Sequence, residues 1–191
     1  MSSSNVGTLK IILGCMYSGK TSALIAEYHK WESINKKPLC INFTGDNRYG
    51  NICENNMYNH NKSSVKCVYT SNLLYVEEHI IDSVDVILIN EGQFFPDLYD
   101  AVKYWCDVKQ KNIIVSGLDG DYKRNEFGQM LKIIPLSNHV EKLNAFCAKC
   151  ADGTLAQFTH RISKEKDLIL IGGHGDYVAL CRNCYFNGNK E

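Results

Sequence analysis

Residues 14–21 read Gly14-Cys15-Met16-Tyr17-Ser18-Gly19-Lys20-Thr21, which matches G-x-x-x-x-G-K-[ST]. Each fixed position has a chemical reason. The glycines let the backbone curl, so that the N–H groups of Cys15, Met16, Tyr17 and Ser18 point into one concavity. The start of the following helix adds its positive end. Such a nest holds a polyphosphate. Lys20 can reach the outer phosphates, and the Thr21 hydroxyl suits Mg²⁺. Chance alone would produce the pattern about once per hundred chains of this length. The motif does not say which reaction follows.

A second candidate group lies at Val86-Ile87-Leu88-Ile89-Asn90-Glu91-Gly92-Gln93-Phe94-Phe95. Glu91 falls where an apolar strand pattern runs out, and open α/β sheets place ligands at that end of their strands. A carboxylate there can accept a proton from a hydroxyl and orient it for in-line attack. The plainer alternative is a solvated turn glutamate.

Cys147-x-x-Cys150 and Cys181-x-x-Cys184 are two thiol pairs separated by residues 151–180. Four thiolates from two such hairpins suit tetrahedral Zn²⁺. The chain has nine cysteines, so one C-x-x-C pair would arise by chance about 0.4 times and mean little. Two pairs in the last quarter mean more. A redox pair would sit in a βαβ unit, and neither pair does. A closed four-cysteine site has no open coordination position, so its expected work is to staple a lobe poor in core. Cys15, Cys40, Cys53, Cys67 and Cys106 read as small core or loop residues.

The elements that must position these groups alternate between strand and helix, the pattern of an α/β fold with a largely parallel sheet. Strands are expected at Leu9–Leu13, Pro38–Phe43, Val65–Tyr69, Val84–Ile89, Ile113–Gly117, Val140–Phe146 and Leu168–Ile171. Helices are expected at about Gly19–Ser33, Leu73–Ser83 and Phe95–Lys109. Asp46 to Lys62 is polar without a period and reads as a long loop. The expected organisation is a disordered tail at 1–7, a nucleotide-binding α/β domain at 8–145 and a small zinc-binding domain at 146–191.

Composition narrows the function. Lys plus Arg is 21 and Asp plus Glu is 21, and a net charge of zero argues against a dedicated duplex nucleic-acid binder. No apolar stretch approaches the roughly 18–20 residues that span a bilayer, and the first residues lack the pattern of a secretory signal. Abundant cysteine without such a signal points to a reducing compartment.

Together these motifs carry a resemblance. The phosphate loop, Asp46-Asn47-Arg48-Tyr49, Asn90-Glu91-Gly92-Gln93-Phe94-Phe95, Leu118-Asp119-Gly120, the cysteine quartet, and Ile171-Gly172-Gly173 before Tyr177 occur in one order. In that order they resemble the zinc-containing thymidine kinases of cells and poxviruses, over about residues 8–186. The resemblance implies a P-loop, RecA-like parallel-sheet domain and a zinc-ribbon domain with a lasso loop. It implies transfer of the ATP γ-phosphate to the 5′-hydroxyl of thymidine, for salvage of DNA precursors, with deoxyuridine as a possible second acceptor.

By the same resemblance, Glu91 matches the catalytic base, and Asp46 and Arg48 lie near the transferred phosphate. Met16, Phe94, Leu118, Tyr122 and Phe127 surround the thymine. Tyr122 stands where phenylalanine is usual. The lasso, including Thr159, Leu168, Ile169, Leu170, Ile171, Gly172 and Tyr177, covers the nucleoside largely through main-chain groups. Members are commonly cytoplasmic homotetramers inhibited by thymidine triphosphate. Asn90 departs from the usual Asp of the Mg²⁺ shell. It keeps an acceptor oxygen but no charge, which implies weakened Mg²⁺ affinity.

Two competing readings remain at this level. One is a RecA-like ATPase acting on nucleic acid, and the other is a zinc-ribbon nucleotide-binding module without catalysis. Arg161 and Arg182 could meet phosphate or serve surface contacts. His174 reads as a loop histidine.

Overall fold

The computed structural model of the chain describes residues 6–44, 56–58, 64–162 and 176–188. Along the chain come β1 (Thr8–Gly14), α1 (Lys20–Ser33), β2 (Pro38–Phe43), β3 (Asn56–Tyr58), β4 (Ser64–Thr70), α2 (Glu78–Asp82), β5 (Val86–Ile89), α3 (Leu98–Lys103), β6 (Asn112–Gly117) and β7 (His139–Leu143). The second lobe holds β8 (Ala145–Phe146), β9 (Leu155–Ala156), β10 (Phe158–Arg161), β11 (Tyr177–Leu180) and α4 (Arg182–Gly188).

The central sheet has the order β3-β4-β2-β5-β6-β1-β7. The six strands from β4 to β7 run parallel, and β3 alone is antiparallel. Parallel strands covered on both faces are apolar throughout, because neither set of alternating side chains meets water. Here Ile11, Ile87, Ile89, Ile113 and Val115 face one layer with Leu98, Val102 and Trp105 of the α3 region. Ile12, Val86, Leu88 and Ile114 face the other, with Leu24 and Ile25 of α1. Val86, Ile87, Leu88 and Ile89 are all completely buried. Each such side chain contributes about 1.5–3 kcal/mol by leaving water.

Register then sets where the functional strand ends fall. Ile89 and Ile11 both pair with Val115 of the intervening β6, so β1 and β5 finish on one edge of the sheet. Glu91 follows β5 there, and the phosphate loop follows β1.

Several expected elements differ. The helix expected over Leu73–Ser83 is a 3₁₀ turn at Leu73–Tyr75 followed by the separate α2. The Asp97 carboxylate captures the N–H groups of Leu73 and Leu74 at 3.1 and 2.9 Å, and the chain then runs extended through Val76 and Glu77. The helix expected from Phe95 begins only at Leu98 and widens to a π turn at Tyr104–Val108, where the Lys109 N–H bonds the Tyr104 carbonyl at 3.1 Å. The strand expected at Val140–Phe146 is two: β7 ends at Leu143, and β8 leaves the central sheet to pair with β9. Within the polar Asp46–Lys62 stretch, β3 forms a strand because Met57 buries its side chain in the core. The expected strand Leu168–Ile171 and the tail at 1–5 lie outside the described residues.

Candidate active site

The phosphate loop has the geometry its sequence demands. Gly14 has φ 151°, and a Cβ there would lie 2.5 Å from the Leu143 carbonyl oxygen. Gly19, at φ 87°, hands the chain into α1. Tyr17 also has positive φ, 64°, a non-glycine in the sparsely populated left-handed region. The Cys15 carbonyl accepts from Lys20 Nζ at 2.7 Å and from Ser18 Oγ at 2.8 Å, so the lysine folds back over its own loop. The Cys15 thiol donates to the Ala156 carbonyl at 3.4 Å, and burial pushes its pKa up, so it stays protonated. This curled loop and its lysine suit a triphosphate, and Thr21 stands at the start of α1 where a phosphate-bound cation would lie.

At the end of β5, which β6 separates from β1, Glu91 is buried in the left-handed region with φ 53° and ψ 46°. Backbone strain of this kind concentrates at functional sites. Gln93, also buried, donates from Nε2 to Glu91 Oε2 at 2.6 Å and accepts at Oε1 from the Leu118 N–H at 3.0 Å. The carboxylate is therefore tied to the backbone of the expected nucleoside pocket, which is inconsistent with a solvated turn. The sequence alone assigns Gln93 no part. Its motif position two residues after the acid was the available signal.

Asn90 is held differently. Its Nδ2 donates to Asn42 Oδ1 at 3.1 Å, and its Oδ1 accepts from Ser116 Oγ at 3.1 Å. All three residues are buried. Asn90 thus spans β2, β5 and β6 by hydrogen bonds; its acceptor oxygen carries no charge.

The expected nucleoside-pocket residues fall into three contacts. Phe94 and Phe127 meet edge to face at 5.6 Å, with Phe43 on the other side of Phe94 at 5.4 Å. The Met16 N–H donates to Thr159 Oγ1 at 3.0 Å, which joins the phosphate loop to β10. The Arg161 guanidinium lies 4.0 Å from the Tyr122 ring centre and bonds the Tyr177 hydroxyl. Leu118 enters through its N–H to Gln93. Asp46, Arg48 and Leu168–Gly172 lie outside the described residues. Arg161 is buried on Tyr122, whereas the exposed Arg182 lies over the Phe158 ring at 4.9 Å. Asp119 of Leu118-Asp119-Gly120 pairs with Lys142 at the end of β7.

The cysteine quartet closes as its spacing requires. The four Sγ atoms of Cys147, Cys150, Cys181 and Cys184 lie within 4.8 Å of one another. Cys150 Sγ is 3.9 Å from Cys181 Sγ and 3.5 Å from Cys184 Sγ. Thiolates about 2.3 Å from a tetrahedral Zn²⁺ lie about 3.8 Å apart, so the residues fit zinc. Burial opposes ionisation of Cys147, but the N–H groups of Cys181, Cys150 and Lys149 outweigh it and hold the thiol down at about 6. The hydrogen bond that its thiol makes with Cys150, followed by burial, pushes Cys184 up to about 12. The β10–β11 hairpin and α4 then carry the residues between and beyond the ligands.

Comparison with known proteins agrees with this geometry. The thymidine kinase family model matches residues 7–185. The thymidine kinase of sheeppox virus is 39% identical over 180 residues, covering 94% of this chain and 97% of the viral one. Those of raccoon poxvirus and fowlpox virus are each 36% identical, covering 96% and 95% of this chain and 99% and 98% of theirs. With phosphate loop, buried acid and thiol quartet in place along nearly the whole length, the chain belongs to the thymidine kinase family.

Proposed function

We propose that this enzyme transfers the γ-phosphate of ATP to the 5′-hydroxyl of thymidine, giving thymidine monophosphate. The observation that carries the reading is the chain Glu91–Gln93–Leu118, which links a buried carboxylate to the backbone beside the aromatic pair Phe94 and Phe127. One end of that chain faces a hydroxyl to be deprotonated, and the other lies where a planar base would stack.

Phosphoryl transfer needs positioning and neutralisation of charge more than covalent chemistry. The amides of residues 14–19 hold the donor phosphates, and Lys20 swings from the Cys15 carbonyl to the outer phosphates. Glu91 accepts the proton of the 5′-hydroxyl. Met16, Phe94, Leu118, Tyr122 and Phe127 enclose the thymine, with Thr159 and Tyr177 on the zinc-lobe side. Thr21 would hold Mg²⁺, with Asn90 accepting from its water shell, and the ion would supply charge neutralisation at the phosphates. The quartet would hold Zn²⁺ as a staple. Asp46 and Arg48 beside the transferred phosphate, and Leu168 to Gly172 over the nucleoside, complete the site by family resemblance. On the same basis we place the enzyme in the cytoplasm as a homotetramer restrained by thymidine triphosphate.

The test is a nucleoside panel with γ-labelled ATP and Mg²⁺. Label should pass to thymidine and, more weakly or not at all, to deoxyuridine. ATP hydrolysis that nucleic acid stimulates, without label on any nucleoside, would instead favour the ATPase reading.

A further inference from the structure

The loop after β6 carries Tyr122, and its conformation is maintained both by its own hydrogen bonds and from outside. Asp121 organises the turn, its Oδ1 accepting from the N–H groups of Lys123 and Asn125 at 2.8 Å each. Arg124 within it has φ 69°. A non-glycine there is disfavoured, so other contacts must maintain it. The turn supplies some of them, the Arg124 N–H bonding the Asp121 carbonyl at 2.9 Å, and the zinc lobe supplies others. The Arg124 guanidinium lies 4.9 Å from the Tyr185 ring centre and 4.6 Å from that of Phe186, close enough for cation–π attraction.

Tyr185 itself follows the zinc ligand Cys184 on α4 and is 5% exposed. Its phenol donates to the Tyr122 carbonyl at 2.7 Å. Arg161 of β10 covers the Tyr122 ring at 4.0 Å. Arg161 pairs in register with Tyr177 of β11, and β11 runs directly into Cys181. The thiol quartet therefore sets the positions of both groups that grip Tyr122. The third buried cluster includes Tyr185 together with Cys147, Cys181 and Cys184.

We propose that Tyr185 is a positioning residue for nucleoside affinity, through which the zinc lobe holds the Tyr122 segment against the base. The inference rests on Tyr122 lining the thymidine pocket. No motif singles Tyr185 out, and it contacts neither the phosphate loop nor Glu91 in any hydrogen bond or ring contact described above.

Tyr185→Phe removes one hydroxyl and keeps the ring under Arg124. The KM for thymidine should rise about 3- to 10-fold, the range for one lost hydrogen bond. The KM for ATP should change less than twofold, and zinc content should match wild type. A general loss of folded protein would lower apparent kcat and leave both KM values alone. In properly folded Tyr185→Phe, an unchanged thymidine KM or equal rises in both KM values overturns the proposal. Arg124→Met, at an exposed side chain, should shift the thymidine KM in the same direction, and it keeps the test open if Tyr185→Phe folds poorly. Tyr122→Ala separates the two readings. If it leaves the thymidine KM unchanged, the pocket assignment fails and the inference with it. If it raises that KM while Tyr185→Phe does not, only the positioning role fails.

Discussion

A carboxylate that accepts a proton during turnover must be near its target and held in one orientation. Glu91 has a strained backbone and a 2.6 Å bond from Gln93 to supply the orientation. Glu91→Gln removes the acceptor charge and keeps the shape. It should retain thymidine binding and lower kcat by roughly 10²-fold or more, the usual range for loss of a general base. Gln93→Leu removes that bond to the carboxylate and should lower kcat by about 10-fold on its own. If Gln93 acts through Glu91, adding Gln93→Leu to Glu91→Gln should lower kcat less than about twofold further, because the group it orients is gone. Full multiplication of the two losses in steady-state assays would mean that Gln93 has a separate role, and near-wild-type turnover of Glu91→Gln would remove the base assignment.

At the scale of elements, the parallel sheet brings Asn42, Asn90 and Ser116 to one edge as a hydrogen-bonded row across three strands. Asn90→Asp would replace a donor facing Asn42 with a buried anion. Asn42 must then turn its amide to donate, and the charge lacks compensation until Mg²⁺ arrives. The variant should therefore reach half-maximal activity at lower Mg²⁺ than wild type. Without the ion it should lose about 1–3 kcal/mol of stability, seen as a lower denaturation midpoint. Superimposable Mg²⁺ curves would exclude the position from handling the metal. The fold of this edge was readable in the sequence, because buried parallel strands need continuous apolar runs such as Val86–Ile89. The row itself was not, since Asn42 and Ser116 lie 48 and 26 residues from Asn90 and belong to no motif. The interrupted helix at Leu73–Asp82 escaped for a related reason. Its break depends on Asp97, whose capture of two distant N–H groups leaves no trace in local periodicity. The quartet, by contrast, was legible because zinc needs four thiolates and hairpins supply them in pairs at fixed spacing.

At the scale of the whole molecule, three buried clusters divide the described residues, and the third joins Cys15 of the phosphate loop to the cysteine quartet and Tyr185. With the Met16–Thr159 bond, this sets the cysteine lobe against the phosphate loop, where on the proposed reading it would be a wall of the catalytic cleft. Zinc occupancy should then follow pH in a direction that the thiols determine. In metal-free protein at neutral pH, Cys147, held down at about 6, is already a thiolate. Cys150, where the lowering by the hydrogen bond with Cys184 is outweighed by the hydrogen bonds with Cys147 and Cys181 and by burial, and Cys184, at about 12, are still thiols. Zinc binds thiolates, so loading must expel at least the protons of these two residues. Each expelled proton makes affinity rise tenfold per pH unit, so zinc affinity should increase by about 100-fold per unit between pH 7 and 8. Below pH 6 the fall should steepen, as Cys147 also takes up a proton. Competition against a chromophoric chelator, corrected for the chelator's own protonation, measures the slope, and proton release in weak buffer counts the protons independently. A slope near zero in both measurements would mean that these four sulfurs do not bind zinc as thiolates, and the wall they brace would need another explanation.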